Sequence, residues 1–443
     1  MSRVQRLLNH WGLLVVLFLF SAVRVYVLFR YHVPAWDEAV YIGMGKYIYS
    51  LGAAGLWEQI RPPLLPLVLG ALWSLGLNPL FWGEVIMILV SLGVITATYL
   101  IALKHDRRVA LLAAVFLAIS PTFVLYSGDI LTHMPAVLLI ELAMLIPASW
   151  AKGSLAALAA LCRFPSGLSL FLHRWSWQLF IAAALVSVPF FFANYAMYHP
   201  YTGTAFDATA RPLLLGEVHQ FNLNEAQADG VMYYLLELMR SHPLLLLFLI
   251  VGIPLMWKDD VFRFFVAFAA YYTLIPNKQE RFMLEFLPFA AIIAACGLMW
   301  YVKRVKCARA VLLMLVVAVF PVVLNDVTLL SYRSAEKPPI VSEYYENPLL
   351  QAPATVLSAD PVPAAYSNAH IIPYYFFVQD TPAVVNEWEQ ADRADLTVWT
   401  ESAFPCSTPQ CILQRTHLRS SIAGTTVFNK SFGDRTYEII ASP

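Results

Sequence analysis

The sequence predicts a multi-pass α-helical membrane protein with a small soluble α/β domain at its C-terminal end. Of the 443 residues, 59% are hydrophobic and only 13% are charged, and the mean hydropathy is +0.63. Soluble proteins have roughly 25% charged residues. Long apolar stretches recur between residues 11 and 330, and from about residue 332 the composition becomes that of a soluble domain. These observations together give the predicted fold class.

The charge balance and the cysteines exclude several kinds of partner and site. The formal net charge is zero, which leaves no electrostatic basis for nucleic-acid binding. Five cysteines without a CxxC pair are typical of neither a disulfide scaffold nor a zinc ribbon. The first apolar stretch, Trp11–Phe29, is too long for a signal peptide and has no small-residue cleavage site. We therefore expect it to be retained as a membrane span.

The apolar stretches predict about eleven membrane crossings, each near the ~17–25 residues that a bilayer requires. The stretch at 154–173 counts as two short segments, because Arg163 and Pro165 interrupt it and predict a polar turn. The stretches lie at 11–30, 80–103, 109–126, 134–150, 154–173, 176–198, 242–257, 261–276, 283–302 and 308–330.

Basic residues set the predicted orientation. Lys and Arg recur at every second boundary between the apolar stretches, and the positive-inside rule places all of them in the cytoplasm. They are Arg3, Arg6, Lys104, Arg107, Arg108, Lys152, Arg174, Lys258, Lys303, Arg304, Lys306 and Arg309. The N-terminus is then cytoplasmic and the C-terminal domain extracytoplasmic, and we expect the host bilayer to be the plasma membrane.

The membrane domain is predicted to cover residues 1–331. Its outer loop, residues 31–79, contains two short helical pieces at Glu38–Leu51 and Leu64–Leu75. Helices of this length cannot span a bilayer, so we expect both to lie along the outer leaflet as interfacial helices. A second outer loop, at 199–232, is a candidate lid.

The soluble domain is predicted to cover residues 332–443. The segments VLSAD, HIIPYYFFV, AVVNEW and DLTVWTES, separated by prolines and acidic residues, predict short strands and helices. Cys406 and Cys411 lie close together in this domain. An oxidising exterior would permit a disulfide between them, and two free thiols are the alternative.

Acidic residues near the membrane are candidates for function, because charge at that depth is costly. Asp37 and Glu38 follow the first span in VPAWDEAVY, where one carboxylate could face an aqueous pocket. An Asp at a helix start is also an ordinary N-cap. Asp129 and His133 are spaced i, i+4 in SGDILTHMP, so on one helix face they could form an acid–base pair or bind a metal. Alternatively, Asp129 caps the helix and His133 is an interfacial side chain.

Cations on the same predicted side complement these acids. Lys278 and Arg281 flank Glu280 in NKQERF, and two cations at headgroup level suit a phosphate. The alternative is that both snorkel to ordinary lipid headgroups. Arg61 in EQIRPPLLP and Arg163 in LCRFPSG are isolated cations that could instead pair for structure alone. Acids and cations on one membrane face indicate a site for a substrate with an anionic link to lipid.

The order of these motifs resembles the GT-C superfamily of integral-membrane glycosyltransferases, in particular the protein O-mannosyltransferases and the lipid A aminoarabinose transferases. The resemblance covers roughly residues 1–330 and rests on WDEAVY, IRPPLLP, SGDILTHMP, CRFP and NKQERF. It implies inverting transfer of a sugar from a polyprenyl- or dolichyl-phosphate donor to a hydroxyl of an acceptor protein, lipid or glycan. The absence of a WWDYG-type signature argues against en bloc oligosaccharide transfer.

The resemblance also implies roles for individual residues. Asp37 corresponds to the catalytic base, with Glu38 and Asp129 completing the predicted catalytic set by orienting the acceptor. Substrate binding is implied for the remaining motif residues, which are Arg61, His133, Arg163, Lys278, Glu280 and Arg281. Asp129 and His133 are also candidate ligands of a divalent cation, although no cofactor is required because phosphate is already a good leaving group.

Two other functions fit a membrane protein of this composition. A secondary transporter would use intramembrane Asp, His and Arg as a relay, but no inverted repeat is visible and the polar residues collect on one face. A non-catalytic protein that binds or flips polyprenyl phosphate is the third hypothesis. A loss of transfer with intact donor binding after Asp37→Asn would distinguish an enzyme from both.

Overall fold

The computed structural model describes residues 10–58, 60–198, 204–205, 209, 230–304, 336–351, 354–358, 360–373, 394–400, 416, 419–420, 422–432 and 435–442, and the structural statements that follow concern these residues. The predicted span at 308–330, most of the loop at 199–232, the segment AVVNEW and the pair Cys406 and Cys411 lie outside them.

The chain divides into two compact units. Unit 1 is drawn from Met1–Arg30, Glu84–Phe190 and Leu213–Arg333, and unit 2 from Tyr31–Gly83, Phe191–Pro212 and Ser334–Pro443. The outer-loop segment thus groups with the C-terminal residues, whereas the sequence placed residues 31–79 in the membrane domain. The predicted boundary near residue 332 lies outside the described residues and stays a prediction.

Helices make up most of the described chain. In chain order they are α1 (Trp11–Leu28), α2 (Trp36–Tyr49), α3 (Leu64–Ser74), α4 (Pro79–Ala102), α5 (Arg107–Ala118), α6 (Pro121–Tyr126), α7 (His133–Leu145), α8 (Ser149–Cys162), α9 (Ser169–Leu172), α10 (Trp177–Tyr198), α11 (Tyr233–Ser241), α12 (Pro243–Met256), α13 (Asp260–Leu274), α14 (Leu287–Arg304), α15 (Pro348–Gln351) and α16 (Pro363–Tyr366). Short 3-10 turns lie at Phe164–Leu168, Gly230–Met232 and Glu280–Glu285.

Four of the described helices are long and apolar enough to cross a membrane: α1, α4, α10 and α14. The segment Gly230–Ser241 and α12 pass the same test together but are bent by 117°, which would make a fifth crossing. The other predicted spans within the described residues form shorter helices, so the figure of about eleven crossings stays a prediction. Helices of this kind satisfy their own backbone hydrogen bonds, as a bilayer requires.

Two predicted spans are broken where proline follows a polar residue. The stretch at 154–173 divides into α8, a 3-10 turn and α9, so the polar turn predicted at Arg163 is confirmed. The stretch at 109–126 divides into α5 and α6 at Ser120–Pro121. The Ser120 hydroxyl contacts Nε2 of His242 at 2.6 Å, and both residues are buried. His242 lies at the bend before α12, so a single hydrogen bond joins two helix breaks.

Unit 2 is built around a five-stranded mixed sheet. The strands are β1 (Thr355–Ser358), β2 (His370–Pro373), β3 (Leu396–Thr400), β4 (Thr425–Phe432) and β5 (Arg435–Ala441), in the spatial order β2-β1-β3-β5-β4. β1 is parallel to β2 and β3, whereas β5 is antiparallel to β3 and β4. Short strands and helices were predicted from VLSAD, HIIPYYFFV and DLTVWTES, and β1, β2 and β3 lie in or overlap these segments.

The outer-loop helix α2 contributes directly to the hydrophobic core of unit 2. Ala39, Val40 and Met44 are fully buried in one cluster with Ile371 and Val398 of the sheet. This packing explains why residues 31–83 group with the C-terminal residues. The prediction of two short helices in the outer loop is confirmed by α2 and α3.

The helices α2 and α3 cross at a pair of glycines. A Cβ atom on Gly45 would lie 2.6 Å from the backbone nitrogen of Gly70 and from the carbonyl oxygen of Pro66. No real side chain tolerates such a distance, so the crossing requires glycine at this position. The close approach fixes α2 relative to α3.

The side chain of Lys46 connects α2 to the C-terminal end of α16 by hydrogen bonds. Its side chain is buried, and its ammonium donates to the carbonyl oxygens of Ala364 at 2.9 Å, Ala365 at 3.2 Å and Ser367 at 2.8 Å. These carbonyls lie at the C-terminal end of α16, where intrahelical donors run out and positive charge is favourable. The three N–H donors of the ammonium are therefore all occupied.

We expect Lys46→Met to lower the free energy of unfolding by about 3 kcal/mol or more, because three buried carbonyls lose their donor at once. The midpoint of thermal unfolding in detergent, followed by intrinsic fluorescence, measures the change. Lys430→Met is the matched control, since Lys430 forms an exposed ion pair with Glu343 and such pairs contribute about 0–1 kcal/mol. Equal small shifts in the two variants would contradict the role assigned to Lys46.

Candidate functional site

The first group of predicted site residues lies at the start of α2 in unit 2. Ala35, with φ −67° and ψ 167°, is extended, and α2 begins at the next residue. The Glu38 carboxylate accepts a hydrogen bond from the Ala35 backbone N–H at 2.6 Å and lies 2.9 Å from His32 Nε2. Glu38 is fully buried. Its geometry is that of a helix-capping residue, which the sequence had left open as one of its roles.

Arg61 lies between two carboxylates, Asp37 and Glu58, and we call these three residues the Arg61 cluster. Its Nη2 is 2.8 Å from Asp37 Oδ1, and its Nε is 3.0 Å from Glu58 Oε2. The Tyr41 ring faces the guanidinium, with 5.6 Å from Cζ to the ring centroid. Among the described residues Nη1 has no hydrogen-bond partner.

The cluster is largely withdrawn from solvent. The Arg61 and Asp37 side chains are 19% and 13% exposed, and Glu58 is fully buried. Burial raises the pKa of Glu58 above its usual value, against the opposing charge of Arg61. Glu58 Oε1 is buried without a hydrogen-bond partner in the described structure. An arginine held this way is fixed in position and keeps one edge of its guanidinium for a ligand.

A second polar group is buried in unit 1 around Arg163, and we call it the Arg163 cluster. The Arg163 Nε forms an ion pair with Glu285 Oε1 and donates to the Tyr272 hydroxyl at 3.1 Å. Tyr272 in turn donates to Glu285 Oε1 at 2.5 Å, and Ser166 donates to Glu285 Oε2 at 3.0 Å. The guanidinium also lies over the Phe282 ring at 4.8 Å. Both oxygens of Glu285 are thereby satisfied, as a buried carboxylate requires.

Lys278 has a geometry that the sequence did not predict. Its side chain is buried, and its ammonium donates to the carbonyl oxygens of Tyr272 at 2.8 Å, Thr273 at 2.6 Å and Ile275 at 2.5 Å. These carbonyls belong to the C-terminal end of α13, so Lys278 caps that helix. All three donors are used within the protein, and a bound phosphate would have to displace a carbonyl. The prediction that Lys278 binds phosphate gains no support from this arrangement.

Glu280 is also engaged within the protein. Its Oε1 accepts a hydrogen bond from the Thr122 hydroxyl at 2.7 Å, which links the 3-10 turn Glu280–Glu285 to α6. The turn begins at Glu280, two residues after Lys278. The segment NKQERF is therefore a connection whose polar side chains hold α6 and α13, rather than one helical turn presenting two cations on the same face.

Asp129 and His133 do not share a helix face. Asp129 lies in a turn whose backbone N–H donates to the Tyr126 carbonyl, and α7 begins only at His133. The expectation of an i, i+4 pair is wrong for this reason. His133 is buried, its ring stacks on Phe282 with centroids 5.7 Å apart, and neither ring nitrogen has a hydrogen-bond partner among the described residues. The positive charges of Arg163 and Arg281 act on this imidazole.

This charge environment favours an anion over a cation next to His133. Two guanidinium groups raise the energy of a metal ion at the imidazole and lower that of a phosphate or carboxylate. A metal site at Asp129 and His133 would have to overcome that repulsion. The surroundings of His133 therefore favour an anion over a metal ion at this imidazole.

Several residues of these clusters were not predicted from the sequence. Glu58 lies three residues before Arg61, and that spacing was the local signal for the pair. Tyr272 and Glu285 gave no such signal, because each lies more than a hundred residues from its partner Arg163. Ser166 is equally far from its partner Glu285. The contact between Thr122 and Glu280 could not be predicted for the same reason, because the two residues are far apart in sequence. The structure brings Asp37, Glu38 and Arg61 together in unit 2, whereas the other predicted site residues belong to unit 1.

Comparison with known proteins bears on the fold. No protein-family model and no curated protein sequence matches the chain. Among solved structures, ArnT from Cupriavidus metallidurans bound to undecaprenyl phosphate superposes with a TM-score of 0.63 at 14% identity, covering 96% of this chain and 99% of that one. The chain has the GT-C fold.

Archaeal structures with this fold are also similar. The oligosaccharyltransferase AglB from Archaeoglobus fulgidus, in complex with an inhibitory peptide and a dolichol-phosphate, gives a TM-score of 0.55 at 14% identity, with 90% of this chain and 70% of that one covered. The same oligosaccharyltransferase in complex with Zn and sulfate gives 0.53 at 14% identity, with 86% and 67% covered. At such identities the comparison establishes the architecture, and it agrees with the resemblance found in the motifs.

We expect Glu285→Gln to lower the free energy of unfolding by roughly 3 kcal/mol, because Arg163 then keeps a buried charge without its carboxylate. Thermal unfolding of the purified full chain in detergent measures this. Glu343→Gln serves as the control, since Glu343 forms an exposed ion pair whose loss costs about 0–1 kcal/mol. An unchanged midpoint for Glu285→Gln would show that the Arg163 cluster does not contribute to stability.

Proposed function

We propose that the protein is an inverting glycosyltransferase. It takes a sugar from a polyprenyl- or dolichyl-phosphate donor and transfers it to an acceptor hydroxyl at the outer face of the membrane. The GT-C fold supports the class of reaction, and the ArnT and AglB structures named above contain undecaprenyl phosphate and a dolichol-phosphate. The proposed orientation, with the N-terminus cytoplasmic and the α/β unit outside, rests on the distribution of Lys and Arg.

The observation that carries the proposal is the Arg61 cluster. A phosphate leaving group needs a donor that is already fixed and charged, and Arg61 is held by carboxylates on two of its nitrogens. Its Nη1 is the nitrogen left for a phosphate oxygen. The guanidinium fork suits two oxygens of one phosphate, so a ligand that also competes for Nη2 would form a bidentate contact.

Asp37 is the proposed catalytic base. In the described structure its carboxylate is paired with Arg61, which keeps it in the ionised form that a base requires. When a donor phosphate competes for Arg61, the attraction that holds Asp37 weakens and its oxygen becomes available to accept the proton of an acceptor hydroxyl. Donor binding would then prepare the base, and inversion follows from attack on the face of the sugar opposite to the phosphate.

The remaining predicted site residues keep different proposed roles. Glu38 supports Asp37 by capping α2 and is proposed to position the base rather than to react. In unit 1, His133, Arg163 and Arg281 are proposed to bind anionic parts of the substrate, whereas Lys278 and Glu280 are proposed to stabilise the fold around them. Asp129 is proposed to orient the acceptor. The acceptor class, which can be protein, lipid or glycan, is part of the same proposal, as is catalysis without an obligatory divalent cation.

We expect Asp37→Asn to lower the rate of sugar transfer by at least about 100-fold, because the base that accepts the proton is lost. Donor binding should be retained or strengthened, because the phosphate no longer competes with a carboxylate for Arg61. The measurement uses the purified full chain with a panel of labelled polyprenyl-phosphate sugars and acceptors. Glu343→Gln, an exposed acid in the same unit, should retain full activity. Unchanged transfer by Asp37→Asn would exclude the base assignment, and a protein that binds every donor but transfers none would favour a binding or flipping protein.

Arg61→Lys should raise the apparent donor KM by about tenfold or more, because lysine keeps the charge but loses the planar fork that serves two carboxylates and a phosphate. The matched control is Arg419→Lys, since Arg419 also pairs with a carboxylate, that of Glu438, in unit 2. Initial rates over a range of donor concentrations separate KM from kcat. An unaltered KM for Arg61→Lys would remove Arg61 from the proposed donor site.

A further inference from the structure

Unit 1 contains a cavity of about 320 Å³ that none of the predicted site residues lines. It lies where α4 and α7 end and where α8 and α13 begin, with the segment after α9 closing one side. Four cations and one histidine line it: Lys104, Lys152, Arg174, Arg263 and His173. We call it the basic cavity. Asp260 is the acidic residue in its lining.

The four cations differ in whether a carboxylate of the protein forms an ion pair with them. Lys104 pairs with Asp259 at 2.9 Å, and Arg263 pairs with Asp260. Lys152 and Arg174 have no ion-pair partner among the described residues. Within the described part of the chain, the lining therefore carries two positive charges without an ion-pair partner. An anion that entered the cavity would meet both of them.

His173 adds a polar atom that points to a ligand. The residue is only 8% exposed, and its Nε2 is buried without a hydrogen-bond partner in the described structure. Its ring packs against Phe264 with centroids 5.3 Å apart, which fixes the imidazole plane at the cavity wall. A buried polar nitrogen without a partner costs free energy unless a ligand or water satisfies it. A phosphate oxygen is a suitable acceptor for an imidazole N–H.

The basic cavity is remote from the Arg163 cluster. It lies at the start of α13 (Asp260–Leu274), whereas the Lys278 cap and Tyr272 lie at the end of that helix. The intervening turns of helix span roughly 20 Å at 1.5 Å per residue. A ligand in the cavity therefore does not contact the Arg163 cluster, and the two can be tested separately.

Tryptophans next to the basic cavity place it at the level of lipid headgroups. Trp150 is 46% exposed and lies two residues before Lys152, and Trp175 and Trp177, which are 76% and 84% exposed, follow Arg174. Exposed Trp side chains collect at the membrane–water interface. Phosphate groups are the dominant anions at that depth, and the charge pattern of the chain predicts that this is the cytoplasmic side.

We propose that the basic cavity binds a phosphate-bearing ligand on the cytoplasmic side, held by Lys152, Arg174 and His173. The ligand is either the headgroup of an anionic phospholipid or a soluble phosphate ester, which share the chemistry that the cavity recognises. None of the residues proposed for sugar transfer lines this cavity, and the proposal does not require that the proposed function be correct.

The test uses the purified full chain in detergent micelles and titrates it with dioctanoyl phosphatidic acid, followed by native mass spectrometry and by the thermal midpoint. The double variant Lys152→Gln, Arg174→Gln should raise the dissociation constant at least about tenfold, because both uncompensated charges are lost. The control double variant Arg108→Gln, Lys258→Gln removes two exposed cations from the same predicted side without touching the cavity lining, and should change binding by less than about twofold.

His173→Phe provides a second, independent variant. It keeps a ring against Phe264 but removes the unpartnered nitrogen, so it should weaken binding by about threefold to tenfold without altering the net charge. This variant decides the question if the double variant does not fold.

Two further titrations identify the source of the phosphate. Binding of phosphatidic acid alone supports a lipid headgroup, and comparable binding of glycerol 3-phosphate or inorganic phosphate supports a soluble ester. Dioctanoyl phosphatidylcholine should not compete. Equal losses in the cavity and control variants, undiminished binding in both cavity variants, or equal binding of phosphatidylcholine would each overturn the proposal.

Discussion

The guanidinium of Arg61 joins Asp37 to Glu58, and through them it joins the start of α2 to the segment that leads into α3. The geometry of the proposed reaction site depends on this bridge. The glycine crossing of α2 and α3 brings the two backbones close, and Lys46 secures α2 to the end of α16. Asp37 is thus carried by a helix that is fixed at both ends, so its position follows from the packing of unit 2.

Lysine and arginine have different tasks in the interior of this protein. Lys46 and Lys278 each direct three donors at the carbonyls of a helix end, which a compact ammonium with three N–H groups can do. Arg61 and Arg163 each lie against carboxylates and aromatic rings, which suits a planar guanidinium. The lysines are saturated by the backbone, whereas Arg61 has five donors and keeps Nη1 without a partner among the described residues. For this reason Arg61 is better placed than the lysines to contact a substrate phosphate.

The sequence was informative where the signal was local. The helices α2 and α3 and the polar turn at Arg163 arise from composition and spacing within about a dozen residues, and each was predicted. The segments that contain β1 to β3 were predicted to form short strands and helices, without an assignment of which is which. The partners of the buried cations could not be predicted, because Glu285 reaches Arg163 from a distant part of the chain and Lys278 folds back onto its own helix end. The pairing of Asp129 with His133 failed because α7 starts at His133, and periodicity alone does not locate a helix start. The grouping of residues 31–83 with the C-terminal sheet depends on core packing that no single segment shows.

The basic residues that predict the orientation of the chain also line the basic cavity, and this coincidence has a physical meaning. Orientation depends only on the presence of Lys and Arg near a span, and ion pairing within the folded protein would not disturb it. Lys104 and Arg263 are paired with Asp259 and Asp260, so these carboxylates already neutralise their charges. Lys152 and Arg174 are not paired among the described residues, and they lie beside a histidine whose nitrogen lacks a partner. Membrane orientation does not require two unpaired cations beside such a histidine. An anionic ligand would neutralise both charges and accept a hydrogen bond from the imidazole.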